Sequence, residues 1–283
     1  MKNAAGKQAP FAKKSFGQNF LVDDGIVSRI VGALDPRPGE LIVEIGPGRG
    51  ALTEKLLAAG ARVAAVELER EMIEVLKGRF SGSPDFALIA ADALKVNFAE
   101  IVEENGTDEN GAPVRLVANL PYYISTAILQ KLIAERAVFG EMILMFQREV
   151  VDRITAPPGD SERGFLTVLT EAYLKTGKLF EVPPSAFRPA PKVWSAVVRL
   201  IPRETAPDPE AEKLFRTLAS VGFARKRKTI LNNFRALPPE ITDKFGSARE
   251  ILDRAGLDPA RRAETLTRDE WINLLEIIAA SAR

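Results

Sequence analysis

"VEIGPGRGAL", residues 43–52, closes an apolar run and opens a helical pattern, and the fold turns on how it is read. "LIVEI", 41–45, has the composition of a buried strand, and a helix is predicted from about 51 to 59. Between them Gly46, Gly48 and Gly50 allow a tight turn and close approach of backbone to a ligand. Outward from this loop the alternation repeats. Strands are predicted at 61–68 ("ARVAAVEL"), 86–90 ("FALIA"), 114–118 ("VRLVA") and 142–146 ("MILMF"), with helices at 69–79 and 125–136. Strand–helix alternation of this kind predicts an α/β fold with a mostly parallel sheet and right-handed crossovers. Upstream, Asp23 or Asp24 can cap a first helix whose buried face is Ile26, Val27, Ile30, Val31 and Leu34. The runs 179–182 and 193–201 are predicted to form an antiparallel edge pair, and the polar segments 103–113 and 156–164 to be loops. "PRETAPDP", 202–209, reads as a linker, and beyond it only helices are predicted, at 209–221, 228–236, 247–255 and 268–281. The expected domains are therefore 1–203 and a smaller all-helical 204–283.

The chain has 283 residues and no Cys or His. Disulfides, thiolate nucleophiles, Ser-His-Asp triads and Cys- or His-liganded metals are thereby excluded, and no metal site is expected. Chemistry must run on carboxylates, amides, tyrosines, backbone groups or a cofactor. No uncharged apolar run approaches the roughly 18 residues of a membrane span. The N-terminal arm carries Lys2, Lys7, Lys13 and Lys14 without an apolar core, so a cytoplasmic protein with no membrane partner is expected. Residues 184–283 hold 18 Lys and Arg against 13 Asp and Glu, and their densest basic run is "RKRK", Arg225, Lys226, Arg227 and Lys228. Such a run is either a solvated helix end or a phosphate-contacting patch.

Glu67 lies 21 residues after Gly46, at the end of the next strand, and Asp92 ends the third. In an open parallel sheet both reach the carboxyl edge, where ligands bind. Glu67 can accept the two hydroxyls of a ribose and Asp92 an adenine amino group; Leu68 and Ala93 follow them directly. The pattern fits a nucleoside-containing cofactor, against the plainer reading of the glycines as a structural turn. NAD is one candidate occupant, because 46–51 satisfies G-x-G-x-x-A. Pro47, however, offers no N–H to a pyrophosphate, whereas S-adenosylmethionine carries no phosphate. The fourth strand ends in "NLPYYIST", 119–126. The Asn119 side-chain oxygen and the Leu120 carbonyl can accept both N–H groups of an adenine N6 amine. Pro121 would aim that carbonyl outward, and Tyr122 would stack on the base.

The set "FGQNFL" (16–21), "VEIGPGRGALT" (43–53), "VELE" (66–69), "DAL" (92–94), "NLPYYIST", "FRPAPKVWSAVVRL" (187–200) and "RAETLTRDEW" (262–271) resembles the ribosomal RNA adenine dimethylases, from about residue 11 to the C-terminus. The resemblance implies a Rossmann-like class I methyltransferase fold and S-adenosylmethionine as cofactor. It also implies dimethylation of two adjacent adenosines near the 3′ end of small-subunit ribosomal RNA, within a pre-ribosomal particle, by a monomer. Carried over by motif, Asn19 and Leu21 close over the methionine end of the cofactor, Gly46 and Gly48 contact it, and Glu67 and Asp92 hold ribose and adenine. Asn119, Leu120 and Tyr122 hold the target base, and Phe187 stacks on its other face; for an enzyme acting on RNA, the charge of Arg225–Lys228 is expected to contact phosphates. Trp194 and Arg163 depart from the family pattern, where Asp and an aromatic are usual, and Tyr123 stands at a variable position. The rival readings are an NAD-linked oxidoreductase and a relative that binds RNA without catalysis.

Overall fold

The computed structural model describes residues 19–106, 113–207 and 209–280; the N-terminal lysines and "FGQ" of the first motif lie outside them. Contacts divide the chain into two compact units. One holds the described residues up to Arg148 together with Leu179–Val198, and the other Glu149–Lys178 with the chain from Arg199 onward.

The first unit is built on strands β1 (Phe20–Leu21), β2 (Leu41–Ile45), β3 (Arg62–Glu67), β4 (Phe86–Ala90), β5 (Val114–Asn119), β6 (Phe139–Gln147), β7 (Leu174–Val182), β8 (Phe187–Arg188) and β9 (Ser195–Pro202). The far ends of β7 and β9 run on into the second unit. Its helices are α1 (Asp24–Leu34), α2 (Ala51–Ala58), α3 (Arg70–Phe80), α4 (Phe98–Asn105) and α5 (Ser125–Ala134). Seven strands form one sheet in the order β4-β3-β2-β5-β6-β9-β7, and β1 pairs only with β8, antiparallel. β2 lies parallel to both β3 and β5, so chain order reverses there. That reversal is the switch point of a doubly wound sheet, and it faces the carboxyl ends of β2, β3 and β5. The central strands are buried on both faces, which is why they read as continuous apolar runs. Asp23, not Asp24, caps α1: its Oδ1 accepts from the Ile26 N–H at 3.0 Å, and the buried face is the expected one. Asp24 instead pairs with Lys55 at 2.8 Å. Ile30, Ile42, Leu56, Val117, Ile143 and Val197 meet in the core of this unit.

The second unit is helical: α6 (Arg148–Ile154, entered from the last residue of the first unit), α7 (Phe165–Tyr173), α8 (Pro209–Gly222), α9 (Ile230–Phe234), α10 (Pro239–Phe245), α11 (Ala248–Arg254) and α12 (Arg268–Ala280). The linker composition placed the boundary at 203/204, whereas residues 149–178 pack with the C-terminal helices. Arg163 is the reason. It is fully buried, donates to the carbonyls of Ala156 at 3.0 Å and Leu266 at 3.1 Å, and pairs with Glu171 at 2.6 Å. A charge buried so deeply persists only with such partners. In the same unit Tyr173 meets Phe215 edge-on at 6.0 Å, and the buried Trp271 stacks on Phe223 at 5.8 Å.

Candidate active site

Three positive backbone angles shape the glycine loop: φ is 66° at Gly46, 55° at Gly48 and 79° at Gly50. Side chains rarely adopt them. The loop amides turn inward. Gly46 donates to the Val66 carbonyl at 2.9 Å, Gly50 to the Pro47 carbonyl at 2.8 Å, and Gly48 to Glu67 Oε2 at 3.1 Å. A pyrophosphate needs such amides aimed at the ligand. These are spent within the protein, which disfavours the dinucleotide reading. A Cβ on Gly46 would stand 3.9 Å from the Asn119 carbonyl, so the loop closes onto the β5 corner.

Glu67 ends β3 almost fully buried, and its Oε1 accepts from the Leu68 and Glu69 amides, both at 2.9 Å. With the Gly48 bond these fix the carboxylate in one orientation. Asp92 is fixed by the Leu94 amide on Oδ1 at 2.9 Å, while its Oδ2 lies 3.9 Å from the Lys95 ammonium. Two adjoining cavities share Gly46, Glu67 and Pro121. The larger, about 350 Å³, is also lined by Leu68, Asp92, Ala93 and Tyr123. The smaller, about 100 Å³, adds Asn19, Leu21, Glu44, Gly48, Asn119 and Tyr122. Every residue expected to hold a cofactor therefore lines one or both. The larger is of the size usual for small-molecule sites, roughly 300–1,000 Å³.

The corner is held from several sides. The Leu120 amide donates to the Met145 carbonyl at 3.3 Å, and Ile124 N–H to the Pro121 carbonyl at 3.2 Å. Tyr122 Oη and Ser195 Oγ lie 2.6 Å apart, and the Ser125 hydroxyl donates to the Tyr122 carbonyl at 3.0 Å. Burial pushes the Tyr122 phenol above its ordinary pKa, against the Ser195 hydrogen bond. Among the described residues no donor reaches the Asn119 side-chain oxygen or the Leu120 carbonyl. Two acceptors stand uncommitted on a rigid turn.

Phe187 was expected to stack on the second face of the target base. Its side chain is 1% exposed, sits in the core of the first unit and lines neither cavity, so in this arrangement it has no face to offer a base. The cause is the β1–β8 pair, which sets Leu21 opposite Phe187. The basic run is not part of a helix. Arg225, Lys226, Arg227 and Lys228 are all exposed on the turn between α8 and α9. That turn is braced by Asn233 Nδ2 to the Arg225 carbonyl at 3.2 Å, and Lys226 donates to the Ser161 carbonyl. Arg225 and Lys228, with Asn232 and Arg235, line a cleft of about 340 Å³.

One cavity residue was not anticipated. Glu44, within β2, is buried, lines the smaller cavity and accepts from the Thr53 hydroxyl at 2.6 Å. Its signal was a lone charge in an otherwise apolar strand. Burial lifts its carboxyl to about 7, with the Glu67 charge adding to the rise and the Thr53 bond opposing it. The unfolded group keeps its ordinary value near 4.5 and ionises first. Stability should therefore fall as pH rises from about 4.5 to about 7 and then level, a change of about 3 kcal/mol. Glu44→Gln keeps an acceptor for Thr53 but cannot ionise. In urea unfolding its stability should gain on wild type by about that amount between pH 5 and pH 8; parallel pH curves would show that Glu44 is ionised throughout.

The chain matches the model of the family described as "Ribosomal RNA adenine dimethylase" over residues 11–278. Ribosomal RNA small subunit methyltransferase A of Marinobacter nauticus is 39% identical over 100% of this chain and 96% of its own. The protein of the same name from Hahella chejuensis is 43% identical over 94% of this chain and 93% of its own. The crystal structure of a dimethyladenosine transferase from Plasmodium falciparum superposes with a TM-score of 0.76 at 27% identity, covering 93% of this chain and 98% of that one.

Proposed function

The chain belongs to the ribosomal RNA adenine dimethylase family, and on that premise we propose that it methylates the N6 amino groups of two adjacent adenosines near the 3′ end of small-subunit ribosomal RNA during ribosome assembly, giving N6,N6-dimethyladenosines. The observation that carries the chemistry is the pair of uncommitted acceptors, Asn119 Oδ1 and the Leu120 carbonyl, on a turn that shares its walls with a carboxylate-lined cavity. An adenine amine has two N–H donors and a lone pair delocalised into the ring. Two acceptors placed for those donors draw the nitrogen toward tetrahedral geometry and localise the lone pair. Tyr122, fixed through Ser195, offers a ring for the base to stack on.

The donor set fits S-adenosylmethionine. Glu67 supplies a buried acceptor for ribose hydroxyls and Asp92 an acceptor for the adenine amine. Leu68 and Ala93 supply apolar walls, and Gly46 and Gly48 a floor without side chains. Asn19 and Leu21, beside Glu44, would cover the methionine end. Bound there, the cofactor supplies an already electrophilic sulfonium methyl. The chain then needs no strong base, only position and electrostatics. This suits a protein without histidine. The exposed cations Arg225, Arg227 and Lys228, with Lys226, would meet RNA phosphates. The test is methyl transfer from labelled S-adenosylmethionine to small subunits lacking the modification, followed by nucleoside analysis of the RNA. Dimethyladenosine is expected. Tight subunit binding with no methyl transferred would favour the binding-only reading.

A further inference from the structure

Among the described residues of the first unit the exposed large apolar side chains are Val22, Leu68, Tyr123, Val193 and Trp194. Leu68 and Tyr123 line the larger cavity. Val193 and Trp194 stand immediately before β9, and Trp194 is 44% exposed. Its backbone is fixed from both sides. The Trp194 carbonyl accepts from the Arg148 N–H at 2.9 Å, just beyond β6, the strand whose Met145 pairs with Asn119. The next residue, Ser195, holds the Tyr122 hydroxyl at 2.6 Å. The Trp194 backbone is therefore anchored to the elements that carry the target corner, while its side chain stays half-exposed. Lys192 and Arg188 are exposed on the same stretch. The chain's other tryptophan, Trp271, is wholly buried.

A base drawn out of a strand leaves its neighbour without a stacking partner. A half-exposed indole on a stretch whose backbone is tied to the target corner, with Lys192 and Arg188 exposed on the same stretch, offers the replacement, and stacking of this kind tolerates any base. We infer that Trp194 is a stacking platform for the unpaired nucleotide next to the target adenosine, with Lys192 and Arg188 meeting that nucleotide's phosphates. The inference rests on the RNA-methylating function proposed above and adds a subsite for substrate outside the catalytic pocket. It also gives the departure from Asp at this position a role.

Steady-state kinetics on unmodified small subunits tests it, with Trp194→Ala and Trp194→Phe beside wild type. Trp194→Ala should raise KM for the subunit by roughly 5- to 150-fold, the range for loss of one base–aromatic stack, with kcat within about twofold. Trp194→Phe should recover most of that loss, and S-adenosylmethionine affinity in calorimetry should be the same for all three proteins. An unchanged KM in Trp194→Ala overturns the inference. So does an equal defect in both variants accompanied by a lower melting temperature, which would make Trp194 a packing residue. Wild-type protein inert on the subunits would overturn the proposed function and this subsite with it.

Discussion

Asn119→Ala should lower the rate of methyl transfer to unmodified small subunits by about 100- to 1,000-fold, the usual consequence of removing one positioned polar group from a transition-state site. The reason lies in what remains. The Leu120 carbonyl would still accept one N–H, but one acceptor neither orients the amine nor draws its lone pair out of the ring. The Tyr122 hydroxyl is held by Ser195, and the chain has no histidine to take over. Asn119 also lines the smaller cavity, so cofactor affinity must be measured alongside single-turnover rates. A variant that binds the cofactor normally and retains more than about a tenth of the rate would remove Asn119 from the chemistry. A rate restored by excess cofactor would assign it to cofactor binding instead.

Replacing Arg225, Lys226, Arg227 and Lys228 together by Glu should weaken subunit binding by about 100- to 1,000-fold near 0.1 M salt. The slope of log affinity against log salt should also flatten. Each lost phosphate contact removes roughly 0.9 for duplex and 0.7 for single strands. Lys226 already donates to the Ser161 carbonyl, so three of the four cations are the freer ones, and a flattening of about 2 to 3 is expected. Cofactor affinity should hold. Unchanged RNA affinity with a lower melting temperature would make the turn a structural brace, a role that Asn233 shows it partly has.

What was legible in the sequence, and what was not, follows from range of interaction. β2 and β4 fall at 41–45 and 86–90 as expected, and α12 runs from Arg268 as expected to Ala280, the last described residue, because buried parallel strands and long amphipathic helices carry their own periodicity. Glu67 and Asn119 end their strands and Asp92 lies two residues past β4, so a topology that brings strand ends together puts all three on the cavity walls, and that placement could be read from the alternation alone. α7 was missed. Its sequence, FLTVLTEAY, is apolar on nearly every side and rich in β-branched residues, and Thr167 and Thr170 are buried with their hydroxyls on the Arg153 and Leu166 carbonyls. α10, seven residues opening on Pro239, is too short for a pattern. The burial of Phe187 was not legible because the β1–β8 pair joins residues far apart in the chain. The unit boundary was misplaced for the same reason, since Arg163 finds Leu266 a hundred residues on.

The interleaving of the two units also fixes an order of events at the ribosome that makes this protein. The core of the first unit includes Val182, Ala186, Phe187 and Val197, so it cannot close until the nascent chain has emerged past β9. By then Glu149–Lys178 is already outside the exit tunnel, yet Leu266, which Arg163 needs, is not yet synthesised. During that interval α6 and α7 must wait with their apolar faces uncovered. Translation speed over the last hundred codons, and the holdase chaperones that attend nascent chains, therefore bear on the yield of folded enzyme more than on that of a protein whose domains follow one another along the chain.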